Sequence, residues 1–168
     1  AGKSTLMKIL AGAQSKDSGS IHLFGQNVQI ESPQKAMELG ISIIYQEFNL
    51  VPYLSAGENI YLGREPRAKL PGFVDFRKLY ADAQAVLDKL GVKIDARALV
   101  HTLSVAQQQM VEIAKATSRK SRIIVMDEPS ATLTDHELQS LFTLIRQLRS
   151  EGVSIIYISH RQIGRAHV

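Results

Sequence analysis

A lysine, a serine and a threonine follow a glycine at the start of the chain. Gly2, Lys3, Ser4 and Thr5 precede apolar residues at helical spacing, so they open a predicted helix. Backbone N–H groups and the partial positive charge of a helix N-terminus bind phosphate oxygens. Lys3 would reach the β and γ phosphates of a nucleotide, Ser4 would place its hydroxyl on Mg²⁺, and Thr5 would support the α phosphate. Because Gly-Lys-Ser also arises by chance, the pattern alone is weak.

Two carboxylates end a short apolar run further along the chain. Asp127 and Glu128 directly follow Ile123–Met126 and precede Pro129. If the run is a buried strand, both carboxylates lie at the carboxyl edge of the sheet, where ligands of open α/β sheets bind. Asp127 then suits a Mg²⁺ contact through water, and Glu128 suits a base that orients an attacking water. The alternative is a solvated acidic turn, and the phosphate-binding pattern upstream weighs against it.

Leu103, Ser104, Val105, Ala106 and Gln107 form a third candidate group. Ser104 and Gln107 have the spacing of a capping box, which alone explains both residues structurally. The same geometry presents N–H groups and a partial positive charge to an anion. In the functional interpretation that anion is the γ phosphate of a nucleotide held by another ATPase domain.

Gln46 and His160 each follow a predicted strand. The Gln46 carbonyl could contact Mg²⁺, and His160 would donate a hydrogen bond to a γ phosphate, but either residue alone is unremarkable. The order of the patterns is what favours function. A phosphate loop, a glutamine, a helical insert, a capped helix, an Asp-Glu strand and a histidine follow one another along one chain.

Helices and strands alternate around these residues. The opening helix is predicted to end at Gly12, and an antiparallel ribbon is predicted over 20–28. A second helix begins at Ser32-Pro33 and stops at Gly40, and Ile41–Tyr45 is predicted to be a buried strand. Further strands are predicted over 123–126 and 154–158, separated by a helix stripe from Leu138 to Leu148. Strands that alternate with helices predict an α/β fold with a mostly parallel sheet.

The middle of the chain lacks strand signals and is predicted to be helical. One helix is indicated by apolar residues at spacings of three and four, and a second spans 104–117, while 63–72 reads as a loop. The stripe of the first helix consists of Phe76, Leu79, Tyr80, Ala83, Val86, Leu87 and Leu90. We therefore predict that the ATPase core comprises 1–50 and 118–161, and that 51–117 is an inserted α-helical subdomain ending in the capped helix.

Length and composition indicate one ordinary globular domain. The chain has 168 residues, 45% of them hydrophobic and 21% charged, which argues against disorder. It has no cysteine, which excludes disulfides and thiolate zinc sites. The net charge is +4, but lysine and arginine are scattered apart from the turn 119–122. We therefore expect no nucleic-acid partner.

In this order the chain resembles the ATPase subunits of ABC transporters. Gly2–Thr5 resemble the end of the Walker A motif, Gln46 the Q-loop, Leu103–Gln107 the signature, Ile123–Glu128 Walker B and His160 the H-switch. The resemblance implies a P-loop NTPase core, ATP and Mg²⁺ as ligands, and a head-to-tail pair of nucleotide-binding domains. Each ATP would lie between Walker A of one domain and the signature of the other.

Three segments resemble the ATPases of bacterial ribose-, galactose- and xylose-type importers. They are Gly40–Pro52, Glu58–Pro66 and Ser104–Ala116. These ATPases carry two tandem domains, and the chain is similar to the first. The resemblance implies a membrane permease, indirectly a periplasmic sugar-binding protein, and a peripheral location on the cytoplasmic face of the inner membrane.

The chain departs from the general family pattern at two places. Val105 and Ala106 stand where the signature has two glycines, which permit close backbone approach. Thr134 stands where the D-loop, here 131–134, has an aspartate, and its spacing to Glu137 predicts another capping box. Sugar importers commonly share such changes, so we interpret them as subfamily character.

We expect the fold to be truncated at both ends. The chain starts inside the Walker A pattern, and Ile163–Val168 do not continue the family pattern. Those residues can be encoded by ATC GGA AGA GCA CAC GTC, the read of a common sequencing adapter, so we hypothesise that 162–168 are not native. The isolated chain is then expected to bind ATP poorly and to be inactive or weak.

The sequence favours an ATP-hydrolysing domain that powers sugar import. The alternative is a non-transport ABC ATPase that acts on ribosomes or nucleic acid, which the basic pI near 9.4 slightly favours. A third alternative is a P-loop small-molecule kinase. It is disfavoured because a kinase would not need the capped helix before the Asp-Glu strand. The sugar itself is not readable from this chain.

Overall fold

A parallel sheet forms the frame of the fold. The computed structural model describes residues 2–129 and 133–159. Strands β3 (Ile41–Ile44), β4 (Ile123–Asp127) and β5 (Ser154–Ile158) lie side by side in that order, and both pairings are parallel. The predicted parallel sheet is therefore confirmed, although β3 is one residue shorter and β4 one residue longer than expected. Parallel strands end at one edge, so the residues after Ile44, Asp127 and Ile158 share the carboxyl edge of this sheet.

All five predicted helices are present, together with a further one at Ala56–Tyr61. The described helices are α1 (Lys3–Leu10), α2 (Pro33–Glu38), α3 (Ala56–Tyr61), α4 (Phe76–Lys89), α5 (Val105–Ser118) and α6 (Asp135–Ser150), with a short 3₁₀ turn at Val100–Thr102. The predicted antiparallel ribbon is formed by β1 (Ile21–Leu23) and β2 (Gln26–Val28). Phe76, the first residue of the α4 stripe, is exposed and stacks on Tyr80 instead of entering the core. Within the described ranges, no helix is both long enough and apolar enough to cross a membrane.

Both faces of the central strand are covered. Ile124 and Met126 of β4 belong to a core cluster that also contains Ile113 of α5 and Leu141 of α6. Val125, which points to the opposite face, joins a second cluster with Met7, Ile30, Ala36 and Ile41. This alternation follows the two-residue period of a strand. Through Met7, α1 is therefore packed on the same sheet that carries Asp127.

Helix α3 was not predicted as a separate element. It is short and contains Gly57, which lowers helix propensity. Close packing explains the glycine, because a Cβ there would lie 3.0 Å from both the Ala96 carbonyl oxygen and the Tyr80 ring. A capping box between Ser55 and Glu58 starts the helix, and the Gly57 N–H donates to the Ala96 carbonyl at 2.7 Å. The signal that could have found α3 is the Ser-x-x-Glu spacing.

Candidate functional site

Asp127 and Glu128 lie at the carboxyl edge of the sheet. Asp127 is the last residue of β4 and pairs with Ile158 of β5. Glu128 follows with φ of 48°, a left-handed conformation that costs a non-glycine residue about 1–3 kcal/mol. Its N–H donates to the Ile158 carbonyl at 2.9 Å, so hydrogen bonding to β5 holds the backbone in this conformation. Both carboxylate residues are half-buried, and their backbone is fixed by the sheet.

The start of α1 has the properties of an anion site. Gly2 is the N-cap residue with φ of 91°, and no side chain caps the helix. Lys3, Ser4 and Thr5 are exposed, whereas Met7 one turn later is buried against the sheet. Uncapped N–H groups at a helix start, together with a lysine, can bind phosphate oxygens. The local structure therefore suits the phosphate-binding role predicted for Gly2–Thr5.

The donors at these positions fit a magnesium ion shared with a nucleotide. Ser4 offers a hydroxyl, Asp127 a carboxylate and Gln46 an amide oxygen, and all are oxygen ligands. Mg²⁺ is commonly held by one or two carboxylates together with substrate phosphates. In residues 2–129 and 133–159, no group of three histidine, aspartate or glutamate side chains could hold a metal ion.

Gln46 lies in an exposed segment directly after β3. Two residues after the strand, it shares the carboxyl edge with Asp127 and Glu128. Further along, the Asn49 N–H donates to Oε1 of Glu112 at 2.8 Å, and Nζ of Lys115 donates to the Asn49 carbonyl at 3.1 Å. Sequence reasoning missed these two α5 residues. The available signal was a glutamate inside the apolar run of α5, where a buried charge needs a partner.

The predicted capping box at the start of α5 is confirmed. The Gln107 N–H donates to the Ser104 hydroxyl at 3.2 Å, and the Ser104 N–H donates to the Gln107 side-chain oxygen at 3.0 Å. Val105 is exposed, whereas Ala106 is 8% exposed and faces the protein. The Ala106 methyl group is thus accommodated without disturbing the cap.

The capped start of α5 opens into a cleft of about 520 Å³. Its walls come from α5, from the start of α6 and from the segment after α4. The lining residues are Leu90, Gly91, Val92, Lys93, Ile94, Ser104, Ala106, Gln107, Met110, His136, Glu137, Ser140 and Leu144. None of the candidate phosphate or magnesium residues lines this cleft. The described chain therefore presents two separate surfaces, the sheet edge and the signature.

The remaining predictions concern the loop after β4 and the end of the chain. The Thr134–Glu137 capping box is confirmed, since the Thr134 N–H donates to Glu137 Oε2 at 2.9 Å and the Glu137 N–H to the Thr134 hydroxyl at 3.4 Å. His160, the earlier part of the D-loop at 131–132 and the tail 162–168 lie outside the described residues.

The fold is that of the P-loop NTPase core. Solved ATP-binding cassettes of ABC transporters have the same fold. One in its ADP conformation has a TM-score of 0.78 and 24% identity, covering 95% of this chain and 66% of its own. A nucleotide-free cassette has a TM-score of 0.79 and 23% identity, with the same coverage. The predicted fold class is thereby confirmed.

The chain belongs to the ABC transporter family, whose profile matches residues 1–131. A putative ribose/galactose/methyl galactoside import ATP-binding protein of Burkholderia ambifaria is 53% identical over 161 residues, which is 96% of this chain and 31% of the relative. One of Albidiferax ferrireducens is 54% identical over 96% of this chain and 32% of the relative. A ribose import ATP-binding protein of Streptomyces avermitilis is 50% identical over 95% and 30%. The chain spans about a third of the length of these relatives.

Proposed function

We propose that the chain binds and hydrolyses ATP within an importer of ribose- or galactose-type sugars. The observation that carries the ATPase part is the pair Asp127 and Glu128, fixed at the edge of a parallel sheet against which α1 packs. The names of relatives about half identical to this chain support the sugar class. Those names give no support to the alternative of a ribosome- or nucleic-acid-directed ATPase.

In the proposed mechanism the N-terminal turn of α1 binds the phosphates. Gly2–Thr5 donate backbone hydrogen bonds, and the Lys3 ammonium balances charge on the β and γ phosphates. A Mg²⁺ ion held by Ser4 and Asp127, with Gln46 nearby, would neutralise charge that develops during phosphoryl transfer. Glu128 accepts a hydrogen bond from water and orients it toward the γ phosphorus. Attack of that water breaks the bond between the γ phosphorus and the β–γ bridging oxygen, and the water proton passes to Glu128, so the products are ADP and inorganic phosphate. His160 is proposed to donate a hydrogen bond to the γ phosphate.

A second nucleotide-binding domain completes the proposed site. Leu103–Gln107 would face the γ phosphate bound by that second domain. This arrangement is supported by the separation of the signature surface from the sheet edge within one chain. A membrane permease is the further direct partner, and a periplasmic sugar-binding protein acts through it. The proposed location is peripheral, on the cytoplasmic face of a bacterial inner membrane.

Transport by a complete importer tests this proposal. The 161-residue stretch of this chain replaces the matching stretch of the Burkholderia ambifaria relative, and the hybrid is assembled with its permease in vesicles. Sugar-stimulated ATP hydrolysis and ATP-dependent ribose or galactose uptake are expected. A folded hybrid that binds its permease but does not hydrolyse ATP would refute the ATPase role. ATP hydrolysis without uptake of either sugar would refute the sugar class.

The isolated 168-residue chain is a separate case. Gly2–Thr5 are exposed, so water competes with the phosphates for their N–H groups and for the Lys3 ammonium. We propose weak Mg²⁺-ATP binding and low turnover for this polypeptide alone, and calorimetric titration measures the affinity. Tight, Mg²⁺-dependent binding would show that the described turn suffices.

A further inference from the structure

The segment that carries Gln46 is attached to α5 through the main chain of Asn49. Glu112 accepts the Asn49 N–H at 2.8 Å, and Lys115, one helical turn later, donates to the Asn49 carbonyl at 3.1 Å. Both main-chain groups of one residue are thus held by two side chains of one helix. We call these two contacts the Asn49 clamp. The helix that supplies the clamp is the same one that begins at Ser104.

A second anchor follows immediately. Asn59 of α3, which is fully buried, accepts the Val51 N–H at 2.7 Å and donates to the Val51 carbonyl at 3.1 Å. The chain after Gln46 is therefore held at Asn49 by α5 and at Val51 by α3. Upstream, β3 holds it through Ile44. Only the short stretch 45–48 lies between these supports, and Gln46 is in it.

Packing alone does not explain a glutamate at position 112. Glu112 is only 7% exposed, and burial raises the pKa of its carboxyl group, whereas the nearby Lys115 ammonium opposes that rise. Burial likewise lowers the pKa of Lys115, and Glu112 opposes this change. An apolar side chain at a buried position often serves stability as well as a charged one does. Here the two charged side chains form hydrogen bonds with the N–H and the carbonyl of Asn49.

The clamp borders a cavity, so the Gln46 segment has space to move. The cavity measures about 230 Å³, and Tyr45, Asn49, Glu112, Lys115 and Arg119 are among its lining residues. Without the clamp, the backbone from Tyr45 to Asn49 could shift into this space. With the clamp, a shift of the segment must pull on α5.

We propose that Glu112 and Lys115 are positioning residues that hold Asn49 and thereby fix Gln46 relative to the signature end of α5. The inference rests on the proposed function, because it assigns Gln46 to the ATP site. Neither side chain touches nucleotide in this scheme. Their effect on catalysis passes through Gln46.

A double-mutant cycle in the hybrid importer tests whether Glu112 acts on catalysis through Gln46. Glu112→Ala is expected to lower kcat for ATP hydrolysis about tenfold and to change KM for ATP less than about twofold, because the phosphate contacts of Gly2–Thr5 remain. Glu112→Gln keeps an oxygen that accepts the Asn49 N–H, so kcat should stay within about threefold of wild type. In a Gln46→Ala background, Glu112→Ala should lower kcat less than about twofold further, because residues that act through one another are not additive.

The outcomes distinguish a failure of the proposed ATPase function from a failure of the positioning role. An unmodified hybrid that does not hydrolyse ATP overturns the proposed function. An active hybrid in which Glu112→Ala has no effect, or in which its effect multiplies that of Gln46→Ala, overturns the positioning role. Glu151→Gln, a charge-neutralising change at a surface ion pair with Lys89, is the matched control and should leave kcat unchanged. If Glu112→Ala does not fold, Lys115→Met removes the other half of the clamp and must show the same cycle.

Discussion

The sheet edge and the Gln46 segment hold the residues of the proposed ATP site in different ways. At the edge, Glu128 is fixed by a main-chain hydrogen bond to β5 and follows a fully paired strand. Gln46 is exposed, and the nearest supports of its segment downstream are side chains of α5 and α3. Main-chain ladders fix an atom in place, whereas side-chain contacts can be remade. The difference suits chemistry at the first region and adjustment at the second.

Replacement of Glu128 gives the largest expected effect and tests the first half of this comparison. Glu128→Gln removes the carboxylate that is proposed to orient water but preserves side-chain size, so turnover should fall at least about 100-fold. Mg²⁺-ATP binding should persist, because the proposed mechanism assigns the phosphate contacts to Gly2–Thr5. Single-turnover hydrolysis and nucleotide titration of the hybrid importer measure the two quantities. Unchanged turnover would remove Glu128 from the reaction.

Removal of the α3 anchor should mainly affect stability. Asn59→Ala eliminates the fully buried side chain that bonds both main-chain groups of Val51 and the Ser55 carbonyl, and each lost hydrogen bond costs about 0.5–1.5 kcal/mol. We expect a loss of about 3 kcal/mol in the free energy of unfolding, measured with urea. Asn27→Ala, at an exposed position in β2, is the matched control and should be nearly neutral. A loss below about 1 kcal/mol for Asn59→Ala would contradict the anchoring role.

The smallest expected effects come from removing the N-cap hydroxyls of two capping boxes, at Ser104 and at Thr134. Ser104→Ala and Thr134→Ala each delete an N-cap hydroxyl, so each should cost about 1 kcal/mol in unfolding free energy. Only Ser104 is proposed to face the γ phosphate of the second domain. ATPase measurements on the assembled importer should therefore show reduced turnover for Ser104→Ala beyond any effect of Thr134→Ala. Equal turnover in the two variants would leave the α5 cap with a structural role alone.

Short-range patterns predicted much of this structure. The box at Ser104 and Gln107 could be read from the sequence because its partners are three residues apart. The β4 strand could be read because buried parallel strands are continuous apolar runs. The exposed position of Phe76 could not, since a helical stripe does not say where the neighbouring helices end.

The Asn49 clamp could not be predicted in the same way. Asn49 and Glu112 are 63 positions apart, and the bond involves the Asn49 main chain, so residue type carries no signal at that end. The assignment of Gln46 itself came from its place in an ordered series of motifs and from family resemblance. How firmly its segment is held became visible only from the packing of α5 and α3.

The supports on either side of Gln46 also limit how far it can travel. Consecutive residues of an extended chain advance at most about 3.3–3.6 Å, so the Gln46 Cα stays within roughly 7 Å of the Ile44 Cα and roughly 11 Å of the Asn49 Cα. The Gln46 Cα can therefore lie only where both limits are met. One limit is measured from Ile44 in the sheet, and the other from Asn49, which α5 holds. A nucleotide-linked displacement larger than these limits allow requires α5 to swing or β3 to fray. The number of residues between Ile44 and Asn49 thus limits how far the Gln46 segment can move without moving α5 or β3.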